Sequence, residues 1–267
     1  MLNGILFNQL LGDRDMKTSN TPWTSGPREV LEHGLALLKK ESDSNRRIAM
    51  IMIDNSVELM ISTYLSLPKR VTGLAISRKK YQEISDSFPA LLDAVEQYAP
   101  GKVDGINLGE IEWYHQIRNK LYHQGFGITV ERDKVEVYAQ LALTLFRALF
   151  EDSVEVPEPK GTELLGDFMA CWVSIERTMY RLAELTYPER KEGQPINVEP
   201  IVSFLARDKT IDKSVASEID QLRRIRNEVV HGMTDHKSVI TADLMTRVQH
   251  VLTVLKEKLA TLEDEQK

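Results

Sequence analysis

Ile117-Arg118-Asn119-Lys120-Leu121-Tyr122-His123 and Ile225-Arg226-Asn227-Glu228-Val229-Val230-His231 are two copies of one pattern, with Arg118 and Arg226 108 positions apart. The register extends upstream, where Glu110-Ile111 matches Glu218-Ile219. Arg, Asn and His persist between the copies while almost everything around them drifts. Side chains kept in that way carry a role that their neighbours do not.

Helical spacing says where the three residues point. Ile111, Tyr114, Ile117 and Leu121 recur at three- and four-residue intervals, as do Ile219, Leu222, Ile225 and Val229, so each copy turns an apolar stripe towards a core. Asn119 and His123 are four apart and share a face, as do Asn227 and His231. At about 100° per residue that face lies nearly opposite the stripe, and Arg118 and Arg226 fall on its border. The two Asn-His faces are therefore expected to meet each other. Each His also closes its helix, where the dipole favours the imidazolium while the neighbouring Arg opposes it, so a histidine titrating near neutrality is expected.

Outward from the motifs, periodicity predicts helices over residues 27–40, 45–67, 77–98, 108–124 and 133–150 in a first half, and over 163–186, 198–207, 212–231 and 239–262 in a second. The 45–67 segment is the most apolar, yet Asp54, Asn55 and Glu58 interrupt it and need partners if buried. Pro157, Pro159 and Gly161 mark a linker. The resulting organisation is a tail over residues 1–26 (with Met16 as a second candidate start), a first helical domain over 27–155, a linker over 156–162 and a second helical domain over 163–267. The expected class is all-α, two related bundles of four to five helices packed as a pseudo-dimer.

Composition narrows the chemistry. A net charge of −6 excludes a general nucleic-acid coat. Local cation clusters remain: Lys69, Arg70, Arg78, Lys79 and Lys80 have no acid among them, and Lys120, Arg223 and Arg224 stand beside the motifs, where they suit phosphate. Cys171 is the only cysteine, which excludes an internal disulfide and a cysteine zinc site. No stretch reaches the roughly 20 apolar residues that span a bilayer, and Met1–Leu11 lacks the features of a signal peptide, so a cytoplasmic compartment without membrane partners is expected. His33, His115, His236 and His250 read as surface or packing residues. A metal set of His231, Asp235 and His236 has no counterpart in the first copy, and neither metal nor cofactor is expected.

The duplicated Arg-Asn-x3-His pattern resembles that of the HEPN superfamily, small helical bundles marked by Arg, four to six residues, then His, with Asn commonly after the Arg. The resemblance covers the layout of most of residues 27–155 and 163–262, and specific residues only in the two motif helices. It implies a metal-independent endoribonuclease acting at an interface between two such bundles, as in toxins, antiviral effectors and RNA-processing factors. By motif match the catalytic residues are Arg118, His123, Arg226 and His231. Asn119, Asn227, Lys120 and Arg223 stand as supporting or substrate-binding residues. The family also places a polar residue of the preceding long helix near the site, for which Asp54, Asn55 and Glu58, and Glu176 in the second half, are candidates. The implied partners are an RNA substrate, a second copy of the chain and a regulatory protein. Some members are inactive, so a non-catalytic pair binding RNA, a nucleotide or a protein is the alternative. Where one toxin branch carries a Tyr two residues after the His, this chain has Gly125 and Met233.

Overall fold

Ser42, Ser77 and Ser87 each accept a hydrogen bond from the main-chain N–H three residues on, which starts three of the helices. The structure is a computed structural model describing residues 21–123, 129–154, 163–187, 198–231 and 233–265, without the side chains of 122, 123, 163 and 198–200. It is all-α, with no strand among the described residues.

In chain order the helices are α1 (Ser25–Leu38), α2 (Asp43–Ser66), the short α3 (Lys69–Thr72), α4 (Arg78–Ile84), α5 (Phe88–Tyr98), the short α6 (Pro100–Val103), α7 (Leu108–His123) and α8 (Arg132–Phe150). There follow α9 (Glu163–Thr186), α10 (Val198–Arg207), α11 (Lys213–Val230), the short α12 (His236–Val239) and α13 (Ala242–Glu265). The single helix expected over 77–98 is two, α4 and α5. Its apolar spacing continues across Ser85-Asp86-Ser87, but Ser87 caps a new start and Pro89 occupies the first turn.

α2 is the axis of the first half and packs on α1, α5, α7 and α8. By length and composition its 24 residues, with an 18-residue stretch of mean hydropathy 1.3, suffice to cross a membrane, and 56% of that stretch is buried inside the protein. In the second half α9 packs on α10 and α13, and α11 lies against the same two helices.

The helix between the halves is α8, which touches α2 and α7 on one side and α9 and α11 on the other. Val135 to Ala142 are all buried, so no face of that stretch reaches solvent. Periodicity predicts one stripe there, at Val137, Leu141, Leu145, Ala148 and Leu149, because it registers a single partner. Apolar side chains of both halves join in one continuous core. Backbone also meets backbone across it: Gly105, at φ +72°, lies so close to α9 that a Cβ there would sit 2.7 Å from the Val173 carbonyl. Arg177 Nε of α9 donates to the Asp104 carbonyl beside it at 2.7 Å.

Candidate functional site

Asp54, fully buried in the middle of α2, gathers the first motif. A carboxylate there is tolerable only if its lone pairs are filled. Tyr138 of α8 donates its hydroxyl to Oδ1 at 2.8 Å, His115 Nδ1 lies 2.9 Å from Oδ2, and Arg118 Nε lies 3.2 Å from the same oxygen. The His115 ring stacks on Phe88, 4.1 Å between centroids. Arg118 donates onward to Asn119 Oδ1 at 2.9 Å and to Asn55. The guanidinium on the border of the stripe thus folds back onto α2, and its side chain keeps 19% exposure.

The second motif behaves differently. Arg226 is 3% exposed and ion-pairs with Glu110, on the first turn of α7. Burial pulls its guanidinium down to about 10, which leaves it protonated at neutral pH. Like Arg118, it also reaches the following Asn, at 3.4 Å from Asn227 Oδ1. Two further contacts seat the end of α11 on α7. The Tyr114 hydroxyl donates to the Val230 carbonyl at 2.6 Å, and the His231 ring stands edge-on to Trp113, 5.3 Å between centroids.

The two motif helices therefore touch, with the last turn of the second on the first half of the first. The contact is not two-fold. Glu218, the counterpart of Glu110, binds Arg247 of α13 at 2.7 Å rather than Arg118. Trp113 and Tyr114 correspond to Gln221 and Leu222, which lack the rings and the hydroxyl. Tyr114 stacks on Tyr138 at 4.6 Å, so a run of contacts leads from the Val230 carbonyl through the two buried tyrosines to Asp54 and on to Arg118.

His231 is half-buried, and its pKa lies below the ordinary 6.5, first because of burial and second because of Arg226. The neutral imidazole that results can accept a proton. His231 meets α7 at Trp113, five residues before Arg118, about 7–8 Å along the axis. The side chain of His123 lies outside the described residues, and the contact that His231 makes with α7 is at Trp113, off the Asn119 face that was expected to meet it.

The remaining sequence candidates occupy the rim. Glu58 lies one turn beyond Asp54, partly exposed, and with Asn55, Met52, Leu59 and Leu91 lines an open depression of about 500 Å³ next to Arg118. Lys120 is exposed, as are Lys69, Arg70, Arg78, Lys79 and Lys80. Arg223 Nε lies 3.6 Å from Asp220 on its own helix. Glu176 is buried in α9, where Trp172 donates to it at 2.8 Å and burial raises its carboxyl to about 7.

Three groups here were not identified as site residues by the repeat. Glu110 served only to fix the register, Tyr138 fell beside the predicted stripe of its helix, and His115 had no counterpart in the second motif. The sequence signal for two of them was Asp54 itself, which demanded donors from neighbouring helices. Compared with protein-family models, curated proteins and solved structures, the chain matches none.

Proposed function

We propose that this protein is an endoribonuclease cutting RNA at a composite site between two HEPN-like bundles, with no metal ion at the scissile phosphate. Its place is a cytoplasmic defence, toxin or RNA-processing system. The observation that carries the reading is the seating of the second motif's His231 on the first motif's helix, at Trp113, where burial and then Arg226 lower its pKa. The packing order supports the paired bundles, since α9, α10, α11 and α13 meet one another much as α2, α5, α7 and α8 do.

In the reaction, neutral His231 takes the proton of an RNA 2′-OH. The 2′-oxygen bonds to the adjacent phosphorus, the P–O5′ bond breaks, and His123 as imidazolium gives a proton to the 5′-oxygen. Arg118, the more exposed arginine, faces the phosphate and the charge that develops on it. Arg226 acts as a positioning residue, holding the end of α11 through Glu110 and keeping His231 deprotonated. The depression beside Asn55 and Glu58 offers polar edges and apolar walls to a neighbouring base.

Incubating the purified chain with end-labelled RNA, without added metal, tests the reading. Fragments ending in 2′,3′-cyclic phosphate are expected, with none from an all-DNA substrate and none from His231→Ala. Fragments ending in 3′-hydroxyl overturn it.

The burial of Arg226 favours a second reading, a non-catalytic module, because a 3%-exposed arginine with a carboxylate partner cannot grip a phosphate as it stands. RNA bound by the wild type and by Arg118→Ala, with no cutting by either, selects that reading.

A further inference from the structure

α8 carries a second cluster on the face away from Asp54. Glu136 precedes Tyr138 by two residues, about 200° round the helix, so it points to the opposite side. Asp133 and Glu136, three apart, share that side. Facing them is His236, the first residue of α12, 2% exposed although it stands in a short turn five residues after His231. Asp235 caps α12 by accepting from the Lys237 N–H at 2.9 Å, which fixes its carboxylate beside the same ring.

The polar atoms of this cluster are left over. Neither ring nitrogen of His236 has a hydrogen-bond partner among the described residues, and neither has Glu136 Oε2. His236 Nε2 lies 3.4 Å from that oxygen, while its Nδ1 lies 3.9 Å from Asp133 Oδ1 and 4.0 Å from Asp235 Oδ1. Arg132 Nε occupies Glu136 Oε1 at 2.6 Å, and Lys237 Nζ lies 3.5 Å from Oε2 on a side chain that is 43% exposed.

A neutral imidazole has one N–H and one lone pair. In either tautomer one nitrogen of this ring keeps its lone pair beside a carboxylate with no donor between them, an arrangement that calls for a cation. Protonation is the alternative, and burial works against it. One donor atom each from Asp133, Glu136 and His236 lies within 4.8 Å of the others. At metal–ligand distances of about 2.1 Å the edge of a tetrahedron is about 3.4 Å, which is the spacing of His236 Nε2 and Glu136 Oε2.

We propose that Asp133, Glu136 and His236 form a site for a divalent transition-metal ion of the zinc class. Two carboxylates neutralise the ion, the imidazole selects it over magnesium and calcium, and Lys237 swings into solvent as it enters. The ion ties the turn that follows the second motif to α8 and takes no part in the proposed cleavage, on which this inference does not rest.

The test is metal uptake by the untagged full chain, stripped with chelator and titrated with zinc alone. One equivalent per chain is expected, retained against millimolar magnesium and calcium, with a rise in melting temperature. Cobalt in place of zinc gives visible absorption bands. His236→Gln removes the equivalent. Asp133→Asn, at a half-exposed position that tolerates the change, weakens it, and His250→Ala leaves it intact. Absence of uptake by the wild type, or uptake unchanged in both His236→Gln and Asp133→Asn, overturns the proposal.

Discussion

The Tyr114 hydroxyl donates to the Val230 carbonyl at 2.6 Å, so a side chain of the first motif helix satisfies one of the last carbonyls of the second. Those carbonyls have no partner within their own helix. The residue after Val230 is His231, whose position is therefore set by α7 rather than by its own bundle.

Arg226 and Glu110 form the buried ion pair beside that contact. Removing one partner strands the other charge, so Arg226→Ala is expected to cost about 3–5 kcal/mol in denaturant unfolding. Arg226→Met combined with Glu110→Met should recover most of the loss. Equal losses in the single and double variants count against the pairing.

The pH dependence of the proposed cleavage should report His231. Its pKa is lowered, first by burial and then by Arg226, and the proposal makes the neutral ring the base, so the rate should rise with pH through an inflection below 6.5. Trp113→Ala uncovers the ring and should move that inflection upward. The sign for stability is the same: a depressed histidine contributes stability that is present above 6.5 and lost as pH falls through the folded value. A wild-type inflection above 6.5 contradicts this account.

Glu176 predicts the opposite slope. Burial raises its carboxyl from 4.5 to about 7, so the folded state holds a proton that the unfolded chain releases. Its contribution is present below 4.5 and lost as pH rises through about 7. Glu176→Gln should stabilise the protein by about 3 kcal/mol at pH 8 and change little at pH 4, as thermal melts at the two pH values can check.

Gly105 and Gly73 separate strain from crowding. Both have positive φ, but a Cβ at Gly73 meets open space whereas one at Gly105 meets the Val173 carbonyl. Gly73→Ala should cost about 1–2 kcal/mol from the backbone alone. Gly105→Ala should cost clearly more, since a main-chain atom of α9 must move. Equal costs would mean that α9 yields freely.

Local spacing revealed the helices and the matched motifs, because each bundle turns one stripe towards its own axis. It missed what depends on a second partner. The run at 135–142 reads as one stripe yet is buried all round, since α9 and α11 cover the side that α2 leaves open. Glu110 and Glu218 look equivalent in the chain and hold different arginines, Arg226 and Arg247. The clue was the Trp113-Tyr114 pair, which the second motif helix replaces with Gln221-Leu222. His236 reads as a surface or packing residue because nothing in its neighbourhood in the chain announces that Glu136, a hundred residues earlier, faces it.

α8 is owned by neither half. A chain nicked within 155–162 should migrate as one particle, and heat should dissolve both parts in one transition, because whichever part melts first uncovers the apolar side of that helix.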